Sequence, residues 1–256
     1  MTQLSKNKIK YIHSLELKKN RKAENVFLAE GDKCVGDLLK SGYEAKLLIS
    51  TECWEIPYSL SIQPEHIITS AEDIRKASLQ QNPQNVIGVF KRKKESDEEL
   101  LNIIPQRQLC LCLDGIQDPG NLGTIIRTAD WFGINNIFCS LNTTDAYSPK
   151  AIQATMGSIA RVNIHYLDII KFAKNIKNTP IYGTLLDGDN IYDVALENKG
   201  LIVMGNEGNG ISKEMRALLN KKILIPAFHT GTNKAESLNV SIATAIICAE
   251  FRRRCK

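Results

Sequence analysis

Several patterns are missing from this 256-residue chain, and each absence removes a class of function. Its seven cysteines form no CxxC pair, and together with four histidines they show no metal-ligand spacing. A zinc or iron–sulfur centre is therefore not expected, and His13, His66, His165 and His229 are assigned no chemistry. No apolar run approaches the length of a membrane span, and Lys6, Lys8 and Lys10 lead into no hydrophobic signal core. A reduced, cytoplasmic protein with no membrane partner and no metal is the expectation. Glycine-rich stretches exist, but none is spaced GxGxxG or GxxxxGKS/T, so a standard dinucleotide loop and a P-loop are both excluded. No nucleophile elbow precedes a serine, and no Ser/His/Asp order with supporting loops is evident. No internal repeat appears.

What is present suits one large domain or two modest ones, and 43% hydrophobic residues suffice for a core. Lys and Arg number 33 against 28 Asp and Glu, a formal net charge of +5. Residues 1–25 carry the whole excess, through Lys6, Lys8, Lys10, Lys18, Lys19, Arg21 and Lys22 against Glu16 and Glu24. Clustered cations suit phosphate contacts, and a solvated helix face looks the same; composition leaves both open.

The first 25 residues read as a helix, with Ile9, Ile12 and Leu15 apolar among the lysines. Short strands and helices then alternate: strand at 26–29, helix through Val35, Leu38 and Leu39 closed by Gly42, strand at 46–50, helix at 71–79, strand at 86–90. This α/β unit spans 1–92. Composition switches to KRKKESDEE over 91–99, and 93–106 reads as a linker. A second unit, 107–256, has apolar runs at 109–113, 136–139, 181–185, 201–204 and 223–225 alternating with helical stretches. That alternation predicts an α/β fold with a mostly parallel sheet. Cys110 and Cys112 share one side of the first of these strands as small buried groups.

Three loops of the second unit each follow an apolar strand and open into a helix. The first is Asp114–Gly133, DGIQDPGNLGTIIRTADWFG, in which Asp118-Pro119-Gly120 reverses the chain and Asn121 is a plausible N-cap. Leu122, Ile125, Ile126, Ala129 and Phe132 make one buried stripe, with Arg127 roughly 140° from Leu122 at about 100° per residue. Trp131, near Arg127 on the wheel, is assigned to core packing over base stacking. An ordinary βα connection with a surface arginine gives the same pattern, so the residues alone leave its role open. The second loop is Val203–Ser212, VMGNEGNGIS, whose glycines permit close backbone approach and whose Ser212 can cap a helix from Lys213. The third runs from Ile225-Pro226 to Ser237-Leu238-Asn239-Val240-Ser241, before a helix expected to bury Leu238, Ile242, Ala245, Ile246 and Ala249. Ligands of α/β sheets sit beyond the carboxyl ends of strands, where three such loops can converge.

NLGTIIRTADWFG (121–133), IVMGNEGNGIS (202–212) and IP…ESLNVSIATAI (225–246) resemble, in order and spacing, the signature motifs of the SpoU (TrmH-like) RNA ribose 2′-O-methyltransferases. KIKYIHSLELKKNRKAENVFLAEG (8–31) is similar to the family's small α/β RNA-binding domain, so the resemblance covers nearly the whole chain. It implies a parallel-sheet methyltransferase domain with a trefoil knot, S-adenosylmethionine as cofactor, RNA as partner and a homodimer. Ribosomal RNA is the first choice of substrate; transfer RNA, or a non-enzymatic RNA-binding role, is the alternative. Carried over by motif, Arg127, Asn121, Glu207, Ser237 and Asn239 are the catalytic set. Thr184, Leu185, Met204, Gly205, Asn206, Glu207, Gly208, Ile225 and Leu238 are the cofactor set, and Lys18, Lys19, Arg21 and Lys22 face RNA. The segment 227–236 is longer than the family's usual spacer. A guanidinium hardly deprotonates in proteins, so Arg127 is expected to bind a phosphate or the ribose oxygen and stabilise developing charge.

Overall fold

The structure, a computed structural model, describes residues 2–56, 63–93, 98–228 and 237–254; most of the long 227–236 spacer and His229 lie outside the described residues. Its elements are α1 (Lys6–Ser14), α2 (Lys18–Glu24), β1 (Val26–Glu30), α3 (Asp32–Lys40), β2 (Ala45–Ser50), β3 (Glu65–Ile68), α4 (Ala71–Ala77) and β4 (Val86–Lys91). There follow α5 (Glu98–Arg107), β5 (Leu109–Asp114), α6 (Pro119–Trp131), β6 (Asn136–Ser140), α7 (Pro149–Thr155), a 3-10 turn (Ser158–Ala160) and β7 (Asn163–Leu167). The chain ends with α8 (Ile169–Asn175), β8 (Ile181–Asn190), β9 (Gly200–Gly205), α9 (Lys213–Arg216), β10 (Lys221–Leu224) and α10 (Val240–Arg254). Two compact units result: Met1–Lys94 with Asp145–Arg161, and Glu95–Thr144 with Val162–Lys256.

The first unit holds a four-stranded sheet in the order β1-β4-β2-β3, with β4 antiparallel to both neighbours. Its core gathers Ile12, Leu15, Val26, Leu28, Leu47, Ile49, Ile74 and Val89. The single helix expected over the first 25 residues is two. Ser5 caps α1, fully buried Leu15 ends it, and Asn25 in the left-handed region (φ 54°) ends α2. The one buried residue of α2 is Arg21, only 2% exposed, which corrects its placement among RNA-facing cations. Its Nη1 donates to the carbonyls of Leu15 (2.7 Å) and Glu16 (2.6 Å), and its Nη2 to Asp145 Oδ2 (2.7 Å). A cationic pattern cannot tell a guanidinium turned inward to a distant carboxylate from one turned to water. Lys18, Lys19 and Lys22 are exposed.

The second unit is a six-stranded sheet, β10-β8-β9-β5-β6-β7, in which every neighbouring pair is parallel. β5 is buried throughout, and burial pushes the Cys110 thiol up to about 12 and raises those of Cys112 and Cys139 well above the ordinary range. These thiols stay protonated and serve as packing. Within the expected linker, residues 98–107 form α5, whose Leu101 enters the core; the charge run before it hides this periodicity. β7 carries no continuous apolar run to mark it, since its NIHYL alternates polar and apolar residues.

Two expectations about helix faces and one about a cap are corrected. Asp118, not Asn121, is the N-cap of α6: its carboxylate accepts from Asn121 N (2.8 Å) and Pro119 takes the first helical position. Leu122, Ile125, Ile126 and Ala129 are fully buried as expected, and Gly133 (φ 64°) closes the helix while Ile134 N donates to the Ala129 carbonyl (2.8 Å). Trp131, however, is 85% exposed, on the same side as Arg127. In α10 the buried face carries Val240, Ser241, Thr244, Ile247, Cys248 and Phe251, while Ile242 is 54% exposed and Ala249 also faces out. Apolar residues ring this helix, so period alone cannot select a face. The hydroxyls are tolerated inside because Thr244 donates to the Val240 carbonyl (2.7 Å) and Ser241 to Asn239 Oδ1 (2.6 Å).

α10 ends in three arginines with structural partners. Arg252 donates to the carbonyls of Phe132 (2.7 Å) and Gly133 (2.9 Å) at the end of α6. Arg253 and Arg254 both bond Glu250, and those bonds, Arg253's foremost, hold its carboxyl down at about 2. A depressed carboxylate stabilises the fold above its ordinary value of 4.5 and loses that contribution as pH falls toward 2. Glu250→Gln should thus lower the melting temperature at neutral pH, with the gap to wild type closing through that acid window. A gap independent of pH would contradict the assignment.

Candidate active site

Because β10, β8, β9 and β5 are adjacent and parallel, their carboxyl ends lie along one sheet edge. The segments leaving there are 225–226, 184–188, 205–210 and 115–118, and an open α/β sheet binds ligands at such an edge.

The loop after β9 folds back on itself: Asn206 N donates to the Gly210 carbonyl (3.0 Å) and Gly210 N to the Asn206 carbonyl (2.9 Å). Gly205 makes this possible, since a Cβ there would lie 2.3 Å from the Gly210 carbonyl carbon. The Asn206 side chain braces the turn. Its Oδ1 accepts from Gly208 N (2.9 Å) and Asn209 N (3.0 Å), and its Nδ2 donates to the Gly115 carbonyl (2.8 Å). Asp114, at the end of β5, adds a second strap by accepting from Ser212 N (2.8 Å). Ser212 caps α9, as expected.

So held, exposed Glu207 meets the α6 segment. Asn121 Nδ2 donates to Glu207 Oε1 (2.8 Å), and Asn239 Nδ2 donates to Asn121 Oδ1 (3.0 Å). Asn239 Oδ1 in turn accepts from Ser241 N (3.0 Å), Ser241 Oγ (2.6 Å) and Ile242 N (3.4 Å), capping α10. Three of the expected residues, one from each loop, are thus joined in a continuous chain. Arg127 stands on the outer face of the same helix, exposed, with no hydrogen-bond or ion-pair partner among the described residues. Ser237 is exposed next to Leu238, itself 50% exposed.

Around the same edge the expected cofactor residues form a partly apolar rim. Thr184 Oγ1 donates to the Val203 carbonyl (3.0 Å), Met204 is buried, and Leu185 and Ile225 are half-buried. Residues 184–188 leave the ladder between β8 and β10, whose register jumps from Lys222 opposite Gly183 to Ile223 opposite Asp189. Gly188 permits the return, because a Cβ there would meet the Ile223 backbone at 2.6 Å. Asp187 ties the excursion down by accepting from Arg216 Nη2 (2.6 Å). An apolar rim beside a tightly folded glycine loop fits a nucleoside such as adenosine, which needs flat apolar cover and close backbone.

Sequence reasoning missed Asp114 and the 140–144 loop. Ser140 Oγ accepts from Gly115 N (2.9 Å), Thr143 Oγ1 donates to the Leu113 carbonyl (3.2 Å), and Thr144 N donates to the Ile116 carbonyl (2.8 Å). The one available signal is the cluster of Ser140, Thr143 and Thr144 where β6 ends.

Residues 108–249 match the SpoU rRNA Methylase family, and residues 6–88 match the MRM3-like substrate binding domain. The chain belongs to the SpoU rRNA methylase family. It is an RNA methyltransferase with S-adenosylmethionine as cofactor. It is 30% identical to the 23S rRNA (guanosine(2553)-2′-O)-methyltransferase RlmP of Bacillus subtilis over 96% of both chains. Among solved structures, a candidate RNA methyltransferase of the TrmH family from Porphyromonas gingivalis superposes with a TM-score of 0.86 and 38% identity, covering 99% of this chain and 100% of that one. The AdoMet-bound rRNA methyltransferase from Sinorhizobium meliloti gives 0.84 and 31%, covering 100% and 98%.

The Gly205 loop supports a direct test. Overpacking of this kind costs about 1–3 kcal/mol, so Gly205→Ala should weaken S-adenosylmethionine binding by roughly ten-fold. Calorimetric titration showing wild-type affinity would refute the assignment of this loop to the cofactor.

Proposed function

We propose that this protein methylates a ribose 2′-hydroxyl of ribosomal RNA as a homodimer. The observation that carries the reading is the Glu207–Asn121–Asn239 chain, which aligns three loops at one sheet edge and leaves the Arg127 guanidinium open on the same helix. The RlmP relative, matched over 96% of this chain, is named for a 2′-O-methylation of ribosomal RNA, which favours ribosomal over transfer RNA.

S-adenosylmethionine supplies a methyl group on a sulfonium, activated for in-line displacement. Gly205, Asn206, Gly208, Thr184, Leu185, Met204, Ile225 and Leu238 hold it at the strand ends. Arg127 binds the ribose oxygen or a neighbouring phosphate through its fork of donors and offsets the negative charge that develops as the hydroxyl loses its proton. Asn121, Glu207 and Asn239 fix that geometry, and Ser237 completes the rim. Lys18, Lys19 and Lys22 hold the RNA backbone. The family's trefoil knot belongs to this reading, supported by the strand order β10-β8-β9-β5-β6-β7, and so does a cytoplasmic setting, supported by the six free cysteines among the described residues.

Arg127→Ala should abolish transfer of labelled methyl to ribosomal RNA while S-adenosylmethionine still binds. Nuclease digestion and mass spectrometry of the wild-type product should give a 2′-O-methylnucleoside. Near-normal turnover by the variant, or label on transfer RNA alone, would overturn the corresponding part.

The homodimer rests on apolar surface that one chain leaves open. Leu238 (50% exposed) and Ile242 (54%) stand at the start of α10, and Trp131 (85%) at the far end of α6, which packs along α10. Large apolar side chains left open along one helix pair suit an interface, and a second copy covers them self-complementarily. Ile242→Glu should convert the sedimenting species from dimer to monomer; a wild-type protein that sediments as a monomer would remove the dimer from the proposal.

A further inference from the structure

Arg21, Arg92 and Asp145 form a largely buried charge cluster that the transfer reaction does not use. Asp145 is 8% exposed, and its Oδ2 accepts from Arg21 Nη2 (2.7 Å) and Arg92 Nη2 (3.3 Å), while its Oδ1 accepts from Tyr147 N (3.0 Å). The Arg92 guanidinium also lies 4.6 Å from the Tyr147 ring, and that ring packs 5.0 Å from Phe27 of β1. Asp145 is therefore held from several sides inside the first unit. The residue before it belongs to the second, so the chain passes from one unit to the other at the Thr144–Asp145 peptide. Thr144 N donates to the Ile116 carbonyl (2.8 Å), and Gln117 Nε2 donates to the Asn142 carbonyl (2.9 Å). These bonds shape the 115–118 turn, whose Asp118 caps the helix bearing Asn121 and Arg127.

We infer that Asp145, gripped by Arg21 and Arg92, is a positioning residue for methyl transfer. It anchors the 140–144 loop and, through that loop, sets the turn from which Asn121 and Arg127 project. The chemistry of the cluster suits this role. A buried ion pair adds little net stability over apolar side chains of similar volume, and here the bonds from Arg21, Arg92 and Tyr147 N fix where the Asp145 carboxylate sits. The same helix that turns Arg21 inward presents Lys18, Lys19 and Lys22 outward. RNA seated on that outer face therefore bears on the element that holds Asp145. The inference rests on the reading of the chain as an RNA methyltransferase whose first unit holds the RNA.

The test replaces the pair by apolar residues, Arg21→Met with Asp145→Leu, in the full chain. Single-turnover transfer to ribosomal RNA should slow by about ten-fold while affinities for S-adenosylmethionine and RNA stay at wild-type values. Amide exchange at Thr144 should quicken. Lys18, Lys19 and Lys22 changed together to alanine serve as the control for RNA seating, with a salt slope reduced by roughly 2–3. A double variant that transfers at the wild-type rate overturns the inference, and so does one that loses RNA affinity while its rate at saturation is retained. If no RNA accepts methyl from the wild type, the functional reading fails, while Thr144 exchange still tests the anchor. Should the double variant not fold, Arg21→Lys keeps the cation but forfeits the Leu15 and Glu16 carbonyl bonds. It should slow transfer by a smaller factor, and wild-type rate and exchange in it count against the anchor.

Discussion

The carboxamide of Asn121 is the point on which the site depends. Both of its ends are engaged, one by a carboxylate 86 residues away and the other by an amide 118 residues away. Each bond taken alone is worth about 1 kcal/mol net, too little to matter for global stability. Their value is geometric. Asp118 sets where Asn121 begins, Asn206 sets where Glu207 points, and Asn239 is fixed by capping α10. Every partner is itself held by a bond of its own, so the loops have one mutual arrangement rather than several.

The two helices that meet at this point are joined along their whole length. α10 starts at the Asn239–Asn121 contact beside the beginning of α6 and finishes with Arg252 on the carbonyls of Phe132 and Gly133 at its end. The helices therefore run side by side in the same direction, tied at top and bottom, with an apolar seam between. The arginine at the far end satisfies terminal carbonyls and complements the negative end of the α6 dipole. A tail of three arginines, which by composition invites a nucleic-acid reading, is spent on holding the fold.

Strand positions, the parallel sheet and the three loop motifs were legible because each is written in contiguous residues: apolar runs such as LCLCL, and glycines where backbone approaches backbone. What escaped depends on residues far apart in the chain. Arg21 among lysines shows nothing of a carboxylate at 145. Trp131 and Ile242 are apolar residues facing outward, and in α10 apolar side chains on every side leave no periodic preference to read. Asn121 reads as a cap until Asp118, three residues earlier, takes that position. Roles at the site came from motif resemblance; the bonds that give Glu207 and Asn239 their partners are legible only in three dimensions.

The make-up of the first unit bears on how the chain comes into being. Ribosomes release a polypeptide from its amino end, and domains ordinarily close as they emerge. Here the amino-terminal unit lacks Asp145, Tyr147 and the helix that follows until residue 161 has been made, so Arg21 must wait with no counter-ion for its buried place. By then β5 and β6 of the second unit are already out. The first unit is complete in sequence once residue 161 is out, whereas the second still lacks β7 to β10 and α10, so the amino-terminal unit waits on a segment inserted in the middle of its successor and closes before it.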